Sequence, residues 1–475
     1  MSLKFGTSGL RGLSVDLMGT ASALYSEAFA RHLRASGLAQ RGDTILVGRD
    51  FRPSSPEIAA VCMGALERAG LVPADCGTLP TPALALYGLQ RKAASLMITG
   101  SHIPADRNGI KFYRPDGEID KTDEAAISAS AAGIVAAATE LSDTPGTGPD
   151  LAAETEALFF ARNVNILKKG ALSGLTIGVY QHSSVARDLF VDVLEAYGAT
   201  AMPLGRSETF IPVDTEAVSA DTIGLLHGWA REHRLDAIVS ADGDGDRPLV
   251  TDETGLPLRG DLIGLMTANF LGAQRVVTPV TSNSCIEGAG SFAVTRTKVG
   301  SPFVIAGMAK ALASGEEGVM GFEANGGVLT ASPFTLNGVV LQPLPTRDCF
   351  LPVLAVLSRL ADEKQPLSKI AAGYGLPVAL SDRLENFAVE NSQALMSYLR
   401  ASPENLALFL KGIGEPAAIS DIDGLRVTLS DKSILHFRPS GNAPEMRCYV
   451  EAADQTAGES LMAKGLAAIR DWRPT

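Results

Sequence analysis

Disulfide frames and zinc sites are excluded first. The 475-residue chain has five cysteines, at positions 62, 76, 285, 349 and 448; they are odd in number, far apart and without CxxC spacing. They read as reduced thiols, the state kept in the cytoplasm. Positive charge is also scarce: 41 Lys and Arg against 53 Asp and Glu leave a formal net charge of −12. That balance argues against a nucleic-acid partner, because covering a phosphate backbone takes clustered cations. Long hydrophobic runs are missing too. The weakly charged stretch 125–139 is Ala-rich, shorter than a membrane span, and reads as a packed or surface helix. The first six residues hold no apolar signal region. We therefore expect a cytoplasmic protein with no membrane partner.

What is present is a globular composition, 46% hydrophobic and 20% charged. At about 150 residues per unit the length predicts three or four units. Apolar runs alternate with helical stretches along most of the chain. Residues 43–48 read as a strand, 54–69 as a helix, 77–82 as a turn-rich connection and Ser95-Leu96-Met97-Ile98 as a buried strand. Together they describe βαβ construction. The Ser, Thr, Pro and Gly of 141–148 mark a first boundary. A second cycle runs through strand 175–180, helix 186–197 and strand 235–240, and a third from 276–280 to 319–327. From about Tyr374 the character changes, with a hairpin over 424–429 and 433–437 and a further strand at 448–452.

The chemistry-bearing residues fall at the ends of these strands, where open α/β sheets bind ligands. After Ile98 come Ser101 and His102, with Lys111 ten residues beyond Ser101. A loop hydroxyl beside an imidazole and an amine can carry a phosphoryl group; an isolated Ser-His pair is equally an ordinary loop feature. Near the start, three glycines, two hydroxyls and Arg11 lie within 4–12, a composition able to wrap an anion, or simply a Gly-rich turn. Strand 235–240 delivers Asp242-Gly243-Asp244-Gly245-Asp246-Arg247-Pro248. Three carboxylates at alternate positions, separated by glycine, can close around a hard divalent cation such as Mg²⁺. An EF-hand would also use Glu253 at its twelfth position, but its sixth position wants Gly and this chain has Arg247. A solvated acidic loop is the other alternative.

Glu323 and Asn325 follow a short apolar strand, and carboxylate plus amide can hold vicinal sugar hydroxyls. Farther on, Arg438, Ser440, Gly441, Asn442 and Arg447 fall within ten residues, suited to a phosphate dianion. A nucleophile, a metal site, a polyol loop and a separate phosphate grip point to phosphosugar chemistry.

With these motifs in view the chain resembles the α-D-phosphohexomutase family, which includes phosphomannomutases and phosphoglucomutases. Nearly the whole chain is covered, with five motifs in the family's order: 5–12, 99–111, 242–248, 321–327 and 438–447. The resemblance implies an α/β protein of four domains around a central cleft: three similar α/β domains with mixed sheets and a smaller C-terminal α+β domain. We place them at residues 1–145 (phosphoserine), 146–255 (metal), 256–373 (sugar) and 374–475 (phosphate). It further implies a phosphorylated Ser101 and a Mg²⁺ held by Asp242, Asp244, Asp246 and a phosphoserine oxygen. Arg11, His102 and Lys111 would surround the phosphoserine, with Lys111 the first candidate acid/base and His102 the second. Cations such as Arg11 and Arg247 would tune the lysine downward, opposed by the carboxylates. Arg247 would also touch the transferred group, Glu323 and Asn325 the sugar, and Arg438, Ser440, Gly441, Asn442 and Arg447 the other phosphate.

The expected activity interconverts hexose 6-phosphate and hexose 1-phosphate, mannose before glucose, with glucose 1,6-bisphosphate or an equivalent as activator. The chain departs from the family pattern at Gly100 and Ile103. It also has Asn325-Gly326-Gly327 where relatives end Ser-Gly-His, and lacks a histidine found near Ser301 in some of them. Its Glu-Ala-Asn-Gly run is similar to phosphoacetylglucosamine mutases, which keeps them and phosphoglucosamine mutases as alternatives. A hydrolase built from the same parts and a non-catalytic phosphosugar-binding protein are the rivals. No motif bears on oligomeric state.

Overall fold

The strand Ser95–Ile98 is buried at all four positions, as a central strand covered on both faces should be. In the computed structural model of the chain, which describes residues 3–6, 9–137, 141–440 and 444–473, this strand lies parallel to Thr44–Arg49 and antiparallel to Arg107–Arg114. The first sheet runs Lys4–Phe5, Leu10–Leu13, Arg107–Arg114, Ser95–Ile98, Thr44–Arg49 and Val72–Thr78, with Gly117–Glu118 folded back on Arg107–Arg114. Helix Ser55–Arg68 makes the βαβ crossover between Thr44–Arg49 and Val72–Thr78, which pair in parallel. Phe29, Ile45, Val47, Leu96, Ile98, Ile110 and Phe112 belong to the core beneath it.

Two local expectations shift. The connection at 77–82 is shorter than its turn residues suggest, because helix Thr81–Arg91 begins inside it; Pro82 sits in the first turn, where a missing N–H costs nothing. The boundary segment 141–148 is laid against the first sheet's layers. Gly146 N–H donates to the Ala60 carbonyl at 2.8 Å and Asp75 N–H to that of Pro149 at 2.9 Å.

The second sheet runs Pro248–Thr251, Ala237–Ala241, Thr176–His182 and Thr200–Arg206, parallel apart from its first pair. In the third, Arg275–Pro279 is parallel to Val319–Phe322, which continues antiparallel through Val328–Thr330 to Leu344–Asp348.

By packing the chain divides into two compact units. The first comprises Met1–Val277, Gly290–Ala293 and Gly300–Gly373; the second Thr278–Ala289, Val294–Val299 and Tyr374–Thr475. The second is an α+β module whose antiparallel sheet runs Val378–Leu384, Met446–Ala452, Ile434–Pro439, Leu425–Leu429 and Pro416–Ser420. Helices Val389–Ala401 and Gln455–Asp471 supply Leu395, Leu399, Leu461 and Ile469 to its core. The α/β class with several mixed sheets is the expected one. Among the described residues no helix is long and apolar enough to cross a membrane.

Candidate active site

Ser101 stands three residues past strand Ser95–Ile98 with φ of +54°, left-handed backbone that a non-glycine residue adopts at a cost of about 1 kcal/mol or more. Its surroundings hold it there. The Ser101 N–H donates to Thr99 Oγ1 at 2.8 Å, and its carbonyl accepts from Arg52 Nη2 at 3.0 Å. Arg52 also donates to the carbonyls of Ile103, Pro104 and Arg107 at 2.6, 2.7 and 2.8 Å. It is buried and paired with Asp50 at 3.2 Å, and its guanidinium lies 4.0 Å from the Phe210 ring centre. Sequence reasoning passed over Arg52; its only signal was a second arginine in the loop after the neighbouring parallel strand.

The acidic loop closes directly on this one. A Cβ at Gly243 would lie 2.8 Å from the Ser101 carbonyl oxygen and 2.9 Å from the Phe210 ring, so only glycine allows the approach. Ser101 Oγ then donates to Asp242 Oδ2 at 2.5 Å. The other Asp242 oxygen accepts the N–H groups of Asp246 and Arg247, each at 3.1 Å. Asp244 Oδ2 accepts from Thr81 Oγ1 and Lys111 Nζ, both at 2.6 Å. Asp246 Oδ2 accepts from Lys111 Nζ at 2.5 Å and from Arg347 Nη2 and Nε at 2.8 and 3.0 Å. Asp244 Oδ1 and Asp246 Oδ1 are buried with no hydrogen-bond donor among the described residues. Each of the three residues offers an oxygen within 4.8 Å of the others. Buried carboxylate oxygens left without donors are what a hard divalent cation would satisfy, so the residues fit a metal.

The environments of the carboxylates separate their acidities. Burial, then repulsion from Asp244 and Asp246, pushes Asp242 well above the usual range; Arg247 and the Ser101 bond offset this only in part. Burial acts the same way on Asp246, but Arg347, Lys111 and Arg247 outweigh it and hold that carboxyl below the usual range.

For Lys111 the structure reverses the expected direction. The lysine lies on strand Arg107–Arg114. Burial pulls its pKa down, yet Asp244 and Asp246 raise it by more, against the repulsion of Arg347. His102 is pushed far down by burial, then by Arg247 and Arg11. Its Nδ1 accepts from Arg247 Nη1 at 2.9 Å and lies 3.3 Å from Ser101 Oγ. It is therefore a neutral imidazole whose proton we assign to Nε2. Arg11, on strand Leu10–Leu13, is lowered to about 10 by burial and by Arg247 and Arg347. Arg11, Arg247 and Arg347 repel one another and all act on His102, next to Ser101, a gathering of positive charge suited to an anion. Thr7 and Ser8 lie outside the described residues.

Glu323 and Asn325 fold into a tight turn after strand Val319–Phe322. Gly326 N–H donates to the Glu323 carbonyl at 3.0 Å, and the Asn325 side-chain oxygen accepts Gly327 N–H at 2.9 Å. That oxygen is thus committed to the turn. Glu323 Oε2 accepts from Arg347 Nη1 at 3.0 Å. Arg347, on strand Leu344–Asp348, is the other residue missed; its signal was a charged Arg-Asp pair closing a strand.

The predicted phosphate grip forms its own cluster within the second unit. Arg438 Nε donates to Asp423 Oδ2 at 2.8 Å. Arg447 Nε and Nη2 both donate to Glu445 Oε1 at 3.0 Å. Burial lowers the Arg447 pKa, but Tyr449 and Glu445 raise it by more. Ser440 N–H closes the loop on the Glu445 carbonyl at 3.0 Å. Gly441 and Asn442 lie outside the described residues.

Residues 2–137 match the phosphoglucomutase/phosphomannomutase α/β/α domain I, and residues 259–375 the corresponding domain III. A phosphomannomutase of Sinorhizobium fredii is 57% identical over 469 residues, 99% of each chain. The crystal structure of a phosphoglucomutase/phosphomannomutase family protein from Burkholderia thailandensis superposes with a TM-score of 0.75 at 20% identity, covering 98% of this chain and 96% of that one. Farther away, at 16% identity and a TM-score of 0.56 over 98% and 95% of the two chains, is Aspergillus fumigatus N-acetylphosphoglucosamine mutase in complex with GlcNAc-6P and magnesium. The chain belongs to the phosphoglucomutase/phosphomannomutase family of phosphohexomutases.

Proposed function

We propose that this enzyme interconverts mannose 6-phosphate and mannose 1-phosphate, with glucose phosphates as second substrates, through a phosphorylated Ser101. The observation that carries the reading is the meeting of Ser101 Oγ with Asp242, together with two buried carboxylate oxygens that lack donors among the described residues and the arginines that act on His102. The name of the 57% identical relative supports mannose. The four divisions given above and a cytoplasmic location belong to the same reading.

Asp242, Asp244 and Asp246 would hold Mg²⁺, which would neutralise charge on a transferring phosphoryl group and would share the carboxylates that otherwise keep Lys111 charged. In the first half-reaction the sugar's free O1 hydroxyl attacks phosphoserine. The O1–P bond forms as the Oγ–P bond breaks; with a cation drawing Asp244 and Asp246 away from it, Lys111 Nζ would enter this step neutral, its own proton given up to solvent, and would take the hydroxyl proton. Arg11 and Arg247 take the phosphoryl oxygens, whose charge spreads as the bonds exchange. His102, neutral, orients Arg247 through its Nδ1 lone pair. Glu323 and Asn325 hold the sugar, while Arg438, Ser440, Gly441, Asn442 and Arg447 hold the phosphate that is not moving. The product is hexose 1,6-bisphosphate. After it turns, the O6–P bond breaks, Ser101 recovers a phosphoryl group, and Lys111 returns the proton to O6. Glucose 1,6-bisphosphate would prime the cycle by phosphorylating Ser101.

An NMR time course with mannose 6-phosphate, Mg²⁺ and a trace of glucose 1,6-bisphosphate tests this beside Ser101→Ala. Conversion to mannose 1-phosphate, lost in the variant, is expected. Release of inorganic phosphate alone would make the protein a hydrolase, and conversion of only glucosamine or N-acetylglucosamine phosphates would move the substrate.

A further inference from the structure

One buried side chain joins two parts of the site that the reaction uses separately. The Arg347 guanidinium donates through Nε and Nη2 to Asp246 Oδ2 and through Nη1 to Glu323 Oε2, at 3.0, 2.8 and 3.0 Å. Arg347, Asp246 and Glu323 are 2%, 1% and 4% exposed, so these bonds are made away from water and none of the three charges is cheaply left alone. The two carboxylates come from different sheets, one after strand Ala237–Ala241 and the other after Val319–Phe322. A planar fork serves them from separate nitrogens in fixed directions, whereas a lysine would have to meet both from one nitrogen.

The sugar loop is shaped to admit this arginine. Strand Val328–Thr330 pairs with Leu344–Asp348, Val328 opposite Asp348, and Gly327, just before that strand, lies against the Arg347 side chain. A Cβ at Gly327 would sit 2.6 Å from Arg347 Cδ, 2.7 Å from Cγ and 3.1 Å from Cβ. These atoms form the stem, anchored to a paired strand, and cannot swing aside as a side-chain tip can. The missing side chain at 327 and the arginine at 347 are one device.

We propose that Arg347 is a positioning residue that fixes Glu323 toward the sugar and locks it to the metal-binding carboxylate Asp246, and that position 327 must be glycine for this to occur. The inference rests on the role given to Glu323 under the proposed function. Without Arg347, Glu323 loses its counter-charge and its orientation, and the sugar phosphate binds less well whether or not metal is present.

The test uses Arg347→Met, Arg347→Lys, Gly327→Ala and the double variant R347M/G327A. Their melting temperatures, kcat and KM are measured, together with calorimetric titration of mannose 6-phosphate into metal-free protein. Arg347→Met and Gly327→Ala should each weaken mannose 6-phosphate binding and raise KM by about tenfold, with kcat changed less. Arg347→Lys should recover part of the loss. Adding Gly327→Ala to Arg347→Met should bring little further change, because both remove one interaction. Losses that multiply in the double variant, or a lowered melting temperature with unchanged affinity and KM, would overturn the proposal. Should Arg347→Met fail to fold, Gly327→Ala decides alone, since normal affinity there contradicts the packing argument. An active wild type with normal Gly327→Ala and Arg347→Lys variants would refute this inference only, whereas a wild type that converts no hexose phosphate would refute the proposed function.

Discussion

The acidic loop of the first unit and the arginine loop of the second both gather charge at the end of a strand, but they manage it differently. Asp242, Asp244 and Asp246 are 0%, 0% and 1% exposed, whereas the side chains of Arg438 and Arg447 are 17% and 38% exposed. In the sealed loop Asp242 takes backbone amides on one oxygen and Ser101 on the other, while Asp244 and Asp246 each have one oxygen tied by a hydroxyl or a cation and the other without a donor among the described residues. In the open loop the arginines rest on Asp423 and Glu445, pairs that water screens and an incoming phosphate dianion can replace. On the proposed function the difference has a use: a centre that would place a cation is built in advance, and a grip that would release and recapture the two ends of a turning bisphosphate keeps exchangeable partners.

The sharpest way to break this contrast is to remove one charge from the sealed loop. Asp244→Asn keeps the shape and the Thr81 contact but withdraws a carboxylate oxygen from the cation position. We expect kcat to fall by roughly 10³-fold, unrepaired by excess Mg²⁺. Activity within tenfold of wild type would show that this loop is not the metal centre.

Acid sharpens the contrast next, because each loop is backed by a buried histidine bonded to a backbone carbonyl. His182 Nε2–H donates to Ala241 O, just before Asp242, at 2.8 Å; His436 Nε2–H donates to Asp423 O, behind Arg438, at 2.6 Å. Burial, ahead of all other causes, lowers both to about 4 from an ordinary 6.5. The folded state favours the neutral form. Its stabilisation is therefore complete above about pH 6.5 and is lost progressively as pH falls toward 4, by at most about 3 kcal/mol for each histidine. Chemical denaturation across that range should show stability falling with acidification, and His436→Gln should flatten the slope in the second unit. A slope unchanged in that variant would remove His436 from the account.

The smallest effect belongs to the open loop. Glu445→Gln removes the charged partner of Arg447, leaving Tyr449, and should lower KM for the sugar phosphate by about threefold, most clearly at low salt. A raised KM would mean that Glu445 holds Arg447 in its binding position instead of competing for it.

The same contrast decides what could be read from the amino-acid sequence. Strands such as Ser95–Ile98 and Thr176–His182, and the hairpin of Leu425–Leu429 with Ile434–Pro439, carry their own apolar periodicity and end within a residue or two of the expected positions. The three aspartates were legible because glycines between them leave few structural explanations. Arg52 and Arg347 were not, because their partners lie far along the chain: Arg52 reaches the carbonyls of 101–107, and Arg347 reaches Asp246. The direction of the Lys111 shift was missed for the same reason. Whether cations or carboxylates dominate a buried amine depends on contacts that only folding brings to 2.5–2.6 Å.

The central claim is that Ser101 carries the phosphoryl group, and mass spectrometry tests it most directly. The protein is incubated with glucose 1,6-bisphosphate and Mg²⁺, digested, and the modified residue located by fragmentation, before and after a chase with mannose 6-phosphate. The account predicts one phosphoryl group on Ser101, absent from Ser101→Ala and discharged by the sugar phosphate. A phosphoryl group on another residue, or a protein that turns over sugar phosphate with Ser101 never modified, would contradict it.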